Sequence, residues 1–215
     1  MGKHKEKKRR TAKDIVPPIL LLLLGEGAGI AMFFLIDQYR FFDLIVMSVA
    51  VIFTVIGYSQ RIVRGVMSAA ILYFASGVAA TFYNPAAPYI GAPFGEEVTN
   101  ATYGLSFCVL TAAVWIALEA IGRALFEDTS LPRLGFLDVL GGLLIYAAIG
   151  IVVATLIFNA AGYSSQLRPA HDRAWVRPYA RQVLAFHYDA QSFWFRRPPP
   201  IYVYDLLFQE NDSEP

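Results

Sequence analysis

The stretch FFDLIVMSVAVIFTVIGYSQRIVRGVMSAAILYFASGVAATFY, residues 41–83, decides the fold. It contains two apolar runs, Phe42–Gln60 and Ile62–Tyr83, separated by Arg61 alone. A helix rises about 1.5 Å per residue, so each run predicts a helix of about 30 Å, which matches the hydrocarbon thickness of a bilayer. In lipid a helix satisfies its own backbone polar groups. The stretch therefore predicts two transmembrane helices in direct succession.

Three further apolar runs flank this pair: Ile15–Ile36, Tyr103–Ile121 and Leu137–Gly162. The 215 residues are 56% hydrophobic and 16% charged, whereas roughly a quarter of the residues in a soluble domain are charged. The chain therefore has too few polar side chains to cover its surface in water. We predict an all-α, polytopic transmembrane helical bundle of about five spans, in which an N-terminal span precedes four others.

The intervals between the runs divide the chain into three parts. We predict a basic tail at 1–14, a helical bundle at 15–162 and an interfacial tail at 163–215. Residues 84–100 contain three prolines and the pair Glu96-Glu97, which predicts a loop. The final part mixes arginines with aromatic residues from His171 onward, which favours an amphipathic helix in the headgroup layer. A Pro-rich linker and a disordered acidic end are expected to follow that helix.

The distribution of cations predicts an orientation. Seven of the 18 Lys and Arg residues fall within residues 3–13, which predicts a cytoplasmic N-terminus. Five crossings then place residues 163–215, with six arginines, outside the cell, against the positive-inside rule. An even number of crossings is therefore the open alternative. We expect residues 3–13 and the Arg-rich tail to contact anionic lipid, and we expect no nucleic-acid partner.

Glu26 is a carboxylate near the middle of the first run, in the sequence LLLLGEGAG. A charged side chain at the centre of a membrane helix costs about 2.5 to 3.5 kcal/mol on insertion scales, so such a residue is a functional candidate for proton or cation handling. Gly25 and Gly27 would allow another helix to approach closely. The alternative interpretation is a protonated or paired acid that only orients the helix.

Enzymatic chemistry is not expected. The chain has no phosphate-binding loop, no metal-ligand cluster and no nucleophile beside a base, and its single cysteine, Cys108, lies in an apolar run. We therefore predict no cofactor and no metal. Small residues recur at four-residue spacing, which predicts close helix packing in lipid. Four charged residues at the ends of runs are expected to act as interfacial anchors: Asp43, Arg64, Glu119 and Asp138.

The sequence contains an Asp that opens one predicted helix, an Arg-Gly pair that opens the next, and an Asp followed after three residues by Gly and later by another Gly. In these features residues 41–195 resemble the colicin V production protein (CvpA-like) family. The matching positions are Asp43, Arg64, Gly65, Asp138, Gly142 and Gly150.

The sequence also departs from that family. Val139 and Ile149 stand where basic residues are common, Tyr146 stands where Gly is usual, and the 15–36 run precedes the four-helix unit. The resemblance implies an inner-membrane accessory or scaffold protein, linked to peptide-toxin export or envelope maintenance, with a protein partner or a second copy. Two alternatives remain: a small transporter or channel that uses Glu26 and a re-entrant loop at 84–93, and a structural subunit of a larger membrane complex.

Overall fold

The computed structural model describes residues 12–37, 40–92, 99–125, 135–192 and 201. All regular secondary structure in these residues is helical. Residues 1–11 of the basic tail predicted at 1–14 lie outside the described residues, as do Glu96-Glu97, the Pro-rich linker and the acidic end. The helices are α1 (Ala12–Leu35), α2 (Phe41–Gly91), α3 (Asn100–Leu125), α4 (Phe136–Gly162), α5 (Arg168–Asp172) and α6 (Arg177–Ser192).

Four of these helices, α1 to α4, are long and apolar enough to cross a membrane. Large apolar side chains point outward along them; Leu23, for example, is 65% exposed and Ile116 is 69% exposed. Water does not favour such a surface over so many turns, whereas lipid does. The structure thus confirms an all-helical membrane bundle, while the number of crossings stays a prediction.

The 51-residue helix α2 is interrupted at Arg61, whose φ of 64° and ψ of 177° are not helical. We call residues 41–60 α2a and residues 62–91 α2b. Along α2a, successive contacts with α4 move towards the first residue of α4, whereas along α2b they move towards its last residue. The chain therefore reverses its direction at Arg61. The contacts are Ala50 with Gly150 and Gly57 with Gly142 before Arg61, then Ile62 with Gly141 and Gly65 with Ile145 after it.

Helix α4 lies at the centre of this arrangement, and small residues bring it close to α2a. A Cβ atom added at Gly142 would lie 2.7 Å from both the Gly57 carbonyl oxygen and the Arg61 Cα. Backbone atoms cannot move aside as a flexible side chain can, so only glycine fits. The prediction that small residues mediate helix packing is confirmed here and at Gly150, which lies against Ala50.

The predicted loop at 84–100 is partly wrong, because α2b continues through Pro85 and Pro88 to Gly91. The physical reason is tertiary packing, which outweighs the local effect of the prolines. Ala87 is completely buried, and Gly91 lies in a groove beside α3. The backbone N–H of Ala92 bonds to the Pro88 carbonyl and closes the last turn. The re-entrant loop expected at 84–93 is therefore not formed at residues 84–91, which are helical.

The tail folds back onto the bundle through α5 and α6. One face of α6 is buried through Ala180, Leu184, His187 and Gln191, at the spacing that places residues on one side of a helix. The opposite face includes Tyr179 and Phe186, which are 52% and 77% exposed. An amphipathic helix in the tail is thus confirmed, and its position in the headgroup layer stays a prediction.

Candidate functional site

The reversal at Arg61 is closed by Asp138 from the first turn of α4. The Asp138 carboxylate is completely buried. It accepts a hydrogen bond from the backbone N–H of Ile62 at 3.1 Å. It also forms an ion pair with the Arg61 guanidinium, at an N–O distance of 3.3 Å. The first N–H groups of a helix have no partner within it, so Asp138 caps α2b from a distant part of the sequence. Its expected role as an interfacial anchor is therefore wrong.

A second polar network joins α2b, α3 and α4 at the same end of the bundle. Arg64 donates to Glu119 at 3.0 Å, and Ser68 also donates to Glu119 at 3.0 Å. The Ser68 and Tyr146 hydroxyl groups lie 2.9 Å apart. Arg123, one turn after Glu119, adds a longer contact of 3.4 Å. Arg64 and Glu119 thus join helices, and Tyr146 contributes its hydroxyl to the network from α4.

An open cavity of about 400 Å³ lies beside this network. Its walls are formed by α2a and α3, and Ser68 and Tyr146 contribute from α2b and α4. The rings of Phe53 and Trp115 stack in one wall with their centroids 5.5 Å apart. The cavity therefore combines an aromatic wall with a charged end at Glu119 and Arg123.

Asp43 holds the tail at the opposite end of the bundle. Its completely buried carboxylate accepts backbone N–H bonds from Val176 at 2.7 Å and Trp175 at 3.2 Å, in the turn before α6. It also caps its own helix by accepting from the Arg40 N–H at 2.6 Å. A buried carboxylate is costly unless such donors satisfy it. Asp43 therefore fastens the tail and does not act as the expected interfacial anchor.

Further along α6, polar groups contact the middle of α2b. Gln191 donates to the Ser76 hydroxyl at 2.7 Å, and His187 Nε2 lies 3.1 Å from the same hydroxyl. The Tyr73 hydroxyl donates to the Ala190 carbonyl at 2.6 Å. Burial lowers the pKa of His187 to about 4, because the apolar surroundings disfavour the charged ring. His187 is thus neutral in the docked tail at pH 7.

Glu26 lies apart from these groups, between α1 and α2a. It is half-buried and accepts a hydrogen bond from the Ser48 hydroxyl at 2.7 Å. Gly25 lies against Val51, as its small size predicted, whereas nothing lies within 4 Å of a Cβ added at Gly27. The structure therefore places Glu26 at a helix interface with a neutral partner.

The motif residues predicted from the sequence do not form one site. Arg64, Gly65, Asp138 and Gly142 gather near the reversal, Gly150 lies in mid-bundle and Asp43 lies at the tail. Two of the partners, Ser68 and His187, were not predicted from the sequence. Ser68 follows Arg64 by four residues, a spacing that places both on one helix face. In the described part of the chain, no three His, Cys, Asp or Glu side chains gather to hold a metal.

These features define a polytopic, all-helical membrane protein whose buried charges fasten helices to one another. The chain belongs to the colicin V production protein family, which matches residues 42–184. The match confirms the resemblance seen in the sequence and begins after α1. No curated protein and no solved structure matches the chain at a significant level.

Proposed function

We propose that this protein is a non-enzymatic accessory or scaffold component of the bacterial inner membrane, linked to peptide-toxin export or envelope maintenance. The observation that supports it best is the use of the charged motif residues. Asp43 and Asp138 bind the protein's own backbone, and Arg64 binds Glu119 of a neighbouring helix. Their charge is used to fix the architecture, which is what a scaffold requires.

In this proposal the N-terminus is cytoplasmic, and five crossings place the tail outside the cell. The successive helices support this because α1, α2a, α2b, α3 and α4 alternate in direction. The exposed side of α6, with Tyr179 and Phe186, then faces a protein partner or a second copy of the chain. Anionic lipid contacts residues 3–13 and the arginines of the tail.

The test uses photo-crosslinking residues at two matched positions. Phe186 of α6 and Phe34 of α1 are 77% and 78% exposed, so they differ in location and not in accessibility. We expect a crosslinker at 186 to capture a specific protein in native membranes and one at 34 to capture lipid. Deletion of the gene is expected to reduce toxin secretion or detergent resistance. Absence of a protein adduct at 186, together with an unchanged deletion strain, would contradict the proposal.

A small transporter or channel is the second candidate, and the contact between Glu26 and Ser48 favours it. Flux through liposomes that contain the wild type or Glu26→Gln tests this function. Flux that the substitution abolishes supports a transporter, and zero flux in both proteins removes it. The third candidate, a structural subunit of a larger complex, predicts co-migration with that complex on a native gel.

A further inference from the structure

The aromatic cavity beside Glu119 has the chemistry of a lipid site. We infer that it binds an anionic phospholipid, with an acyl chain against Phe53 and Trp115 and the phosphate on Arg123. This inference does not rest on the proposed function, because it concerns a different face of the protein from the tail helix α6.

The position of the cavity identifies lipid as its occupant. Ile56 and Ile116 line it and are 38% and 69% exposed, so it opens sideways between α2a and α3. In a membrane-spanning bundle this lateral surface faces acyl chains and not water. The stacked pair of Phe53 and Trp115 offers a flat apolar wall to such a chain.

The charged end of the cavity favours a negative headgroup. Arg64 and Arg123 both contact Glu119, so cationic side chains reach this end of the cavity from two helices. The Arg123 side chain is 59% exposed, and its contacts with Glu119 are long, at 3.4 Å. Its remaining N–H groups are therefore accessible to a phosphate, which the planar guanidinium binds well.

The height of Arg123 along its helix agrees with a headgroup contact. Arg123 lies in the last turn of α3, two residues before the helix ends at Leu125, whereas Trp115 lies two turns deeper. A phospholipid has the same order, with its phosphate at the interface and its chains below. A free phosphate ion would use Arg123 and leave the apolar wall unoccupied.

The test uses Trp115 as a reporter in the full-length protein. Trp175 and Trp194 are replaced by Phe, and quenching is measured with phosphatidylglycerol or phosphatidylcholine that carries brominated acyl chains. We expect about fivefold tighter binding of phosphatidylglycerol, the amount that one interfacial arginine contributes. Arg123→Gln is expected to remove this preference. Arg40→Gln, which removes an exposed charge between α1 and α2, is the matched control and should retain it.

Filling the cavity provides a second, independent measurement. Ala120→Phe places a ring at the cavity lining and is expected to reduce quenching by both lipids. If this variant loses its helical circular dichroism, Arg123→Gln decides, since that exposed side chain supports no core. Equal binding of both lipids by the wild type overturns the inference, as does an unchanged preference in Arg123→Gln. The inference is also overturned if inorganic phosphate displaces phosphatidylglycerol with an affinity equal to that of the lipid, because the site would then recognise phosphate alone.

Discussion

Replacing Asp43 by Asn should release the tail while leaving the bundle assembled. Asp43 is completely buried and accepts backbone N–H bonds from Val176 at 2.7 Å and Trp175 at 3.2 Å. The carboxylate provides two acceptor oxygens, whereas the Asn side chain provides one and places an NH₂ group in the other position. The backbone N–H of either Trp175 or Val176 then faces the NH₂ group of Asn and has no acceptor.

The magnitude follows from these contacts. A hydrogen bond to a charged group contributes about 1.5–3 kcal/mol, and a buried N–H without an acceptor costs about 1–3 kcal/mol. We expect the free energy of tail docking to fall by about 3 kcal/mol, which corresponds to about a 100-fold increase in the undocked population. Hydrogen–deuterium exchange of residues 168–192, in protein held in lipid nanodiscs, measures this population.

Asp37→Asn is the matched control for this prediction. Asp37 lies in the connection between α1 and α2, six residues before Asp43, and it is exposed. The control should leave exchange in residues 168–192 unchanged. If Asp43→Asn and Asp37→Asn give the same exchange, Asp43 does not hold the tail and the argument from its hydrogen bonds is wrong.

Two further predictions concern helix packing and pH. Gly142→Ala forces a Cβ against the Gly57 carbonyl oxygen and should lower the midpoint temperature of unfolding. Gly27→Ala is the control, because nothing lies within 4 Å of a Cβ added there, and it should leave the midpoint unchanged. Equal midpoints for the two variants would contradict the close approach of α4 to α2a. Because docking lowers the pKa of His187 from 6.5 to about 4, undocked His187 binds a proton first as the pH falls. Docking is therefore fully stable above pH 6.5 and loses about 1 kcal/mol by pH 5.5, which exchange at residues 177–192 detects after correction for intrinsic rates. His187→Gln should remove this pH dependence, and its persistence would assign the effect to another group.

The sequence predicted the helices well, because length and hydropathy alone decide which segments lipid accepts. The break at Arg61 was also visible, since it is the only residue between two apolar runs. The helical continuation through Pro85 could not be predicted from the sequence, because it depends on the burial of Ala87 in the folded chain. Local rules describe what a residue prefers alone, and packing decided the outcome here.

The roles of the acids could not be predicted for a similar reason. Asp43 bonds to Val176, which is 133 positions away, and Asp138 bonds to Ile62, which is 76 positions away. Placement at the end of an apolar run fits both an anchor in the headgroup layer and a cap on another helix. Only the three-dimensional arrangement distinguishes them, because it shows whether water or a backbone N–H faces the carboxylate.

The dependence of the Arg61 reversal on Asp138 has a consequence for biogenesis. Asp138 is synthesised 77 residues after Arg61, so at about 5–20 residues per second it leaves the ribosome about 4–15 seconds later. During that interval the Ile62 amide, the first of α2b, lacks the carboxylate that caps it in the folded protein. A nascent chain halted before residue 138 would therefore contain the residues of the Arg61 reversal without the acid that closes it.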